Sequence, residues 1–171
     1  MHISIVIILM VFCLIMGTLT GMMIVSRFVD SSVRSELDSE RNLRIQYMDY
    51  YMVLNEWMAE NQSGKSIVDY FEKRNITKIA IYGMTELGCR LYSDLINSNV
   101  EVICAIDRGS FCCPVPELKL INTKDIMREP KVCEVQMVVV TPFFSFQAIK
   151  KELQNDLSCQ ICSIKDIISE L

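Results

Sequence analysis

Between Ile3 and Val25 no side chain carries a charge, and Arg27 closes the stretch. A helix of about 23 residues rises about 34 Å, enough to cross the hydrocarbon core of a bilayer with slight tilt. A cleaved signal peptide would need a basic amino-terminal region and a small-residue cleavage site. Met1-His2 supplies no Lys or Arg, and no A-x-A-like site follows the apolar run. The expectation is a retained anchor over residues 1–26. Arg27, Arg34, Arg41 and Arg44 lie after the span, and only the chain amine and His2 precede it. The positive-inside rule then predicts a single-pass cell-membrane protein with its soluble part in the cytoplasm. Cys13, Gly17 and Gly21 recur every four residues, and Gly17 to Gly21 is a GxxxG. Small residues on one face let two helices approach, so a homodimer contact is one reading; the frequency of glycine in membrane helices is the plainer one.

Composition narrows the class of the remaining chain. Half of all residues are hydrophobic (51%), with only 6 Gly and 4 Pro, which excludes disordered and collagen-like classes. Seventeen basic against 21 acidic side chains give a net charge of −4. Such a chain offers no polycationic surface, so nucleic acid is excluded as a partner. Past Cys13 the cysteines are Cys89, Cys104, Cys112, Cys113, Cys133, Cys159 and Cys162, a scatter that suits free thiols in a reduced compartment. Cys159 and Cys162 have CxxC spacing, but no second pair accompanies them and His2 is the single histidine. A zinc ligand set is therefore missing, and these cysteines read as core residues with no metal.

Residues 27–65 read as a juxtamembrane stalk helix and linker. Leu43, Tyr47, Tyr50, Leu54 and Trp57 form a stripe at helical spacing, so the distal half should pack as core on the C-terminal domain. Clean heptads are too few for a long coiled coil. Asn61-Gln62-Ser63-Gly64 ends the helix, and Gly64-Lys65-Ser66 imitates the tail of a P-loop without its earlier glycine or strand. Ser66, with Asp69 three residues on, predicts a capped short helix over 67–74.

From Thr77 onward strands and helices alternate. Strands are expected at 78–82, 100–106, 118–121, 135–140 and 160–164, with helices from the Gly83 loop to about 97, over 143–153 and over 165–170. Continuous apolar strands separated by helices predict an α/β domain over 66–171, a small doubly wound parallel sheet of half-Rossmann type.

Ligands of such sheets bind beyond the carboxyl ends of the strands. Three pieces meet there: the loop Gly83-Met84-Thr85-Glu86-Leu87-Gly88, Asp107 at the end of the second strand, and Thr141-Pro142 after the fourth. The loop has the spacing of G-x-G-x-x-G, with Thr85 where the middle glycine lets backbone approach a pyrophosphate. Glu86 puts a negative charge in the helix's first turn, where a phosphate would use the dipole. Gly83 and Gly88 also have a purely structural reading as turn and helix–sheet packing, so a working and a vestigial nucleotide site both stay open.

The runs KIAIYGMTELGCRLYSDL, VEVICAID, VVVTPFFSFQAIKKEL and CSIKDIISEL carry a resemblance. They look like small Rossmann-like domains of bacterial polysaccharide-biosynthesis clusters, of nucleotide-sugar epimerase-like or CoA-binding-like type. These are similar to the N-terminal domains of glycan-cluster sugar acyltransferases. The likeness covers about residues 66–171 and departs at Thr85, where those relatives read GMGELG. It implies nucleotide contacts at Gly83, Gly88 and Asp107, with NAD(P), a nucleotide sugar or CoA as the ligand and polysaccharide-assembly proteins as partners. Fold analogy alone does not assign a function.

Catalytic residues are scarce. Tyr70 and Lys73 miss the Tyr-x-x-x-Lys spacing of short-chain dehydrogenases, and no second substrate-binding half is expected. The soluble part has no histidine to act as a base or to activate Cys112 or Cys113. The expectation is a membrane-anchored cytoplasmic nucleotide- or nucleotide-sugar-binding module in cell-surface polysaccharide assembly, not a stand-alone enzyme. The alternative is a ligand-free interaction domain that docks a membrane glycosyltransferase or polymer exporter.

Overall fold

The computed structural model describes residues 2–109 and 113–171, the side chains of residues 2–6, 8, 9, 31 and 32 excepted; Cys112 lies outside the described residues. By its contacts the chain divides into two units, Met1–Asp49 and Tyr50–Leu171. The helix α1, His2–Gln62, runs through the boundary without interruption.

Among the described residues the first unit consists of α1 only. Its apolar side chains from Met10 to Val25 are exposed all round, and it has the length and composition to cross a membrane. Polar groups in this stretch are satisfied by the helix itself: the Thr18 hydroxyl donates to the Ile15 carbonyl (2.8 Å) and that of Thr20 to Met16 (2.9 Å). The backs of Gly17 and Gly21 are open, since an added Cβ would meet nothing within 4 Å.

The second unit is an α/β domain. After the end of α1 come α2 (Ile67–Lys73), β1 (Lys78–Tyr82), α3 (Glu86–Leu95), β2 (Glu101–Asp107), β3 (Leu120–Asn122), β4 (Met137–Val140), α4 (Phe146–Leu153), β5 (Gln160–Ser163) and α5 (Ile164–Ser169). All five strands are parallel, in the order β3-β2-β1-β4-β5. Ser66 opens α2 through the expected capping box, its hydroxyl accepting from Val68 N (3.1 Å) while Asp69 accepts from Ser66 N (3.1 Å).

Successive strand residues point to opposite faces, so each strand feeds two cores. Ile79, Ile81, Met137 and Val139 join one apolar cluster with α2, α3, α5 and the end of α1. Ala80, Tyr82, Val138 and Val140 join the other with Ile149 and Leu153 of α4. Ile126 and Val132, from two 3-10 turns (Thr123–Arg128 and Pro130–Glu134), and Val135 just after them complete that second face. Pro130 prevents these turns from merging into one crossover helix, because its ring would clash with the preceding turn. The stalk stripe divides as well. Val53 and Trp57 are buried core, Tyr50 and Leu54 pack partly against it, and Leu43 and Tyr47 are exposed.

Candidate functional site

The strand order reverses between β1 and β4: from β1 the chain moves outward to β2 and β3, from β4 outward to β5. Open parallel sheets hold ligands at the carboxyl ends of the two strands flanking such a reversal. Here those ends are Tyr82-Gly83 and Val140-Thr141.

Gly83 takes φ +86°, a left-handed turn that L side chains rarely adopt. Its amide donates to the Ile106 carbonyl (2.9 Å), tying the loop to the end of β2. Thr141 closes it from the other side. The Thr141 amide donates to Tyr82 O (3.0 Å), and its buried hydroxyl lies 3.1 Å from Tyr82 O and 2.5 Å from Gly83 O. Gly88 sits in the first turn of α3 against the same carbonyl, where a Cβ would stand 2.3 Å from Gly83 O. The two outer glycines of the loop thus serve turn geometry and close helix–strand packing. Met84 between them is buried.

The middle of the loop behaves differently. Thr85 is the exposed N-cap residue of α3, and its side chain makes no capping hydrogen bond. A helix leaves its first backbone N–H groups without internal partners, so something else must meet them. Tyr50, from α1, lies beside this helix start. Its hydroxyl donates to Glu86 Oε2 (3.4 Å), and its ring stacks near-parallel on Phe143, centroids 6.5 Å apart. Burial raises the Tyr50 pKa, and the Glu86 carboxylate adds to that rise. A tyrosine hydroxyl therefore stands beside the Glu86 carboxylate in the first turn of α3.

Asp107 ends β2 beside Asn122 of β3. Its Oδ1 accepts from the Gly109 amide (3.0 Å). Asn122 Nδ2 donates to the Arg108 carbonyl (3.1 Å), and Arg108 is paired with Glu152 of α4. Gly83, Met84, Thr85, Glu86, Gly88 and Thr141 are joined directly at the strand ends, and Asp107 follows Ile106, to which Gly83 is bonded. Tyr50 and Phe143 are the members of this site that sequence patterning misses. The helical stripe carries Tyr50 as core, and only its amphipathic character, an apolar ring with a polar tip, hints at a second role.

Among the described residues, the two CxxC cysteines do not share a thiol centre. Cys159 packs with the α4-side cluster and Cys162 with the opposite one, so the sheet separates the CxxC pair. Burial pushes the Cys104 thiol up to about 12, and burial with Cys113 and Glu86 nearby raises Cys89. Raised thiols hold little of the nucleophilic thiolate. Among the described residues no group of three or more His, Cys, Asp or Glu is placed to hold a metal.

No family model matches this chain, and no curated protein or solved structure does either.

Proposed function

We propose that this chain is a single-pass membrane protein whose cytoplasmic, Rossmann-like doubly wound domain binds a nucleotide or nucleotide sugar and serves cell-surface polysaccharide assembly. The observation that carries the reading is the paired use of Gly83 and Gly88 at the β1–β4 reversal. A left-handed glycine opens the turn, and a glycine three residues into α3 lets that helix press on it. Those are the roles of the first and third glycines in dinucleotide-binding loops. The likeness to polysaccharide-cluster domains supplies the biological setting. Anchoring is supported by the charge-free, all-round apolar start of α1 with its self-satisfied hydroxyls.

A second reading, a ligand-free domain that docks a membrane glycosyltransferase or exporter, is favoured by two observations. The Thr141 hydroxyl and the Asp107 carboxylate are both engaged within the domain. A thermal-shift screen of the full chain in detergent against NAD, NADP, CoA and UDP-glucose separates the two. A ligand at 100 times its Kd stabilises by about 2.7 kcal/mol. Asp107→Ala should weaken binding about tenfold or more by removing charge-assisted bonds to a ribose. Thr85→Gly should tighten it by reopening the backbone approach. If none of the four compounds shifts the transition, the docking reading takes its place.

Topology has its own test. In inverted membrane vesicles, added protease should digest residues 50–171, because the Arg-rich flank faces the cytoplasm. Full protection of that domain would reverse the orientation.

A further inference from the structure

The stalk part of the first unit carries a repeat on a face of α1 that nothing covers among the described residues. Val33, Leu37, Glu40, Arg44 and Tyr47 follow one another at spacings of four, three, four and three. That is the 3.5-residue period of a seam by which one helix faces another. Leu43 and Met48 flank the seam, and all five apolar members are about half exposed or more. The row is short, so its charges decide what it fits. Glu36 and Arg41 stand on opposite flanks, five positions apart. In two parallel helices in register, flanking residues meet across the pair at that same offset. Glu36 of each copy then meets the partner's Arg41. Glu40 and Arg44 fill successive seam positions: each layer alone sets like charges together, and the neighbouring layer answers with the opposite sign. Within one chain these four charges stay unmatched. Among the described residues the ion pair of the first unit is Arg34 with Asp30 (3.0 Å), and none involves Glu36, Glu40, Arg41 or Arg44.

We propose that α1 pairs in parallel with α1 of a second copy along this seam, so that the protein is a homodimer joined at its stalk. A different partner would need a matching order of charges, and a second copy has that order by identity. The repeat continues toward the amino terminus through Asp30, Ser26, Met23, Leu19 and Met16, with Asp30 neutralised by Arg34. Gly17 and Gly21 fall outside it, so this contact differs from one made through the GxxxG. Charged seam layers cost stability, and in return they specify register and the number of helices. The pairing stands apart from the nucleotide reading and does not depend on it.

The test is sedimentation equilibrium of the full chain in detergent at low ionic strength, which should show a monomer–dimer equilibrium. Glu36→Arg and Arg41→Glu should each weaken association about tenfold, because each replaces two opposite-charge pairs by two like-charge pairs. The chain carrying both substitutions should regain the original affinity, since the pairs return with their signs exchanged. Salt at about 1 M should remove most of these differences. Residue 37 meets its own counterpart in a parallel pair, so Leu37→Cys should give more disulfide-linked dimer on mild oxidation than Ile45→Cys, off the seam. The seam lies outside the second unit, so the charge variants should leave the urea midpoint of the α/β domain unchanged. A chain that stays monomeric at every concentration would overturn the pairing. So would a dimer that is indifferent to both charge reversals and is lost in Gly17→Leu, because its contact would then be the GxxxG.

Discussion

Trp57→Ala should remove about 3–5 kcal/mol from the stability of the second unit, a large share of the roughly 5–15 kcal/mol typical of a domain. Trp57 is 0% exposed and sits in the cluster formed by α2, α3, α5 and one face of the sheet. Truncation to alanine combines the lost transfer energy of a large ring with a cavity that rigid neighbours do not fill. Its indole N–H is buried without a well-formed hydrogen bond, although it faces Asp94, whose pKa is raised by burial and drawn back by Arg90, Asn61 and Trp57. Trp57→Phe should therefore lose mainly volume and cost less than half as much. Leu43→Ala and Tyr47→Ala, from the same stripe but 52% and 68% exposed, should stay within about 0.5 kcal/mol. Urea unfolding of the full chain in detergent, followed by circular dichroism, gives all four values. Equal losses at Tyr47 and Trp57 would mean that the whole stalk, not its last turns, packs on the domain. For the same reason a fragment starting at Ser66, lacking both Val53 and Trp57, should unfold far more readily than one starting at Tyr50.

That contrast shows where sequence patterning stops being informative. Helical spacing gives the apolar stripe from Leu43 to Trp57, but the period is the same whether or not another element covers it. Burial begins at Tyr50 and Val53, where α1 enters the apolar cluster it shares with α2, α3 and α5, a tertiary fact. Strand positions are far more legible. KIAIY and MVVV are runs of β-branched and aliphatic residues buried on both sides, which few other contexts accommodate. The connection between β3 and β4 is not legible. Its apolar residues Ile126 and Val132 obey neither period, since Pro130 divides the segment into two 3-10 turns. The loop glycines announce a tight turn, as φ +86° at Gly83 bears out. What the loop sequence could not show is that the Tyr50 hydroxyl, 36 positions before Glu86, donates to its carboxylate at the start of α3.

The second large effect lies in that loop. On an open helix face, Gly→Ala stabilises by up to about 1 kcal/mol, because alanine has the better helix propensity. At Gly88 the sign should reverse. The new Cβ would stand 2.3 Å from the Gly83 carbonyl oxygen, a backbone atom with no rotamer to yield. Either α3 lifts from β1 or the end of β1 bends, and such overpacking typically costs about 1–3 kcal/mol. Gly83→Ala should lose a similar amount by another route. A left-handed φ costs an L residue about 1–2 kcal/mol. The added Cβ also comes within 2.8 Å of the Pro142 ring and 2.9 Å of Thr141 Oγ1, loosening the bonds that join β1 to β4. Thr85→Ala is the control. N-cap threonines usually contribute about 1 kcal/mol through a capping bond, but Thr85 makes none, so its loss should stay below about 0.5 kcal/mol. All three are read from denaturant midpoints without any ligand. A stabilised Gly88→Ala would show that α3 does not press on the Gly83 turn, and the geometric basis for a phosphate-type loop would go with it.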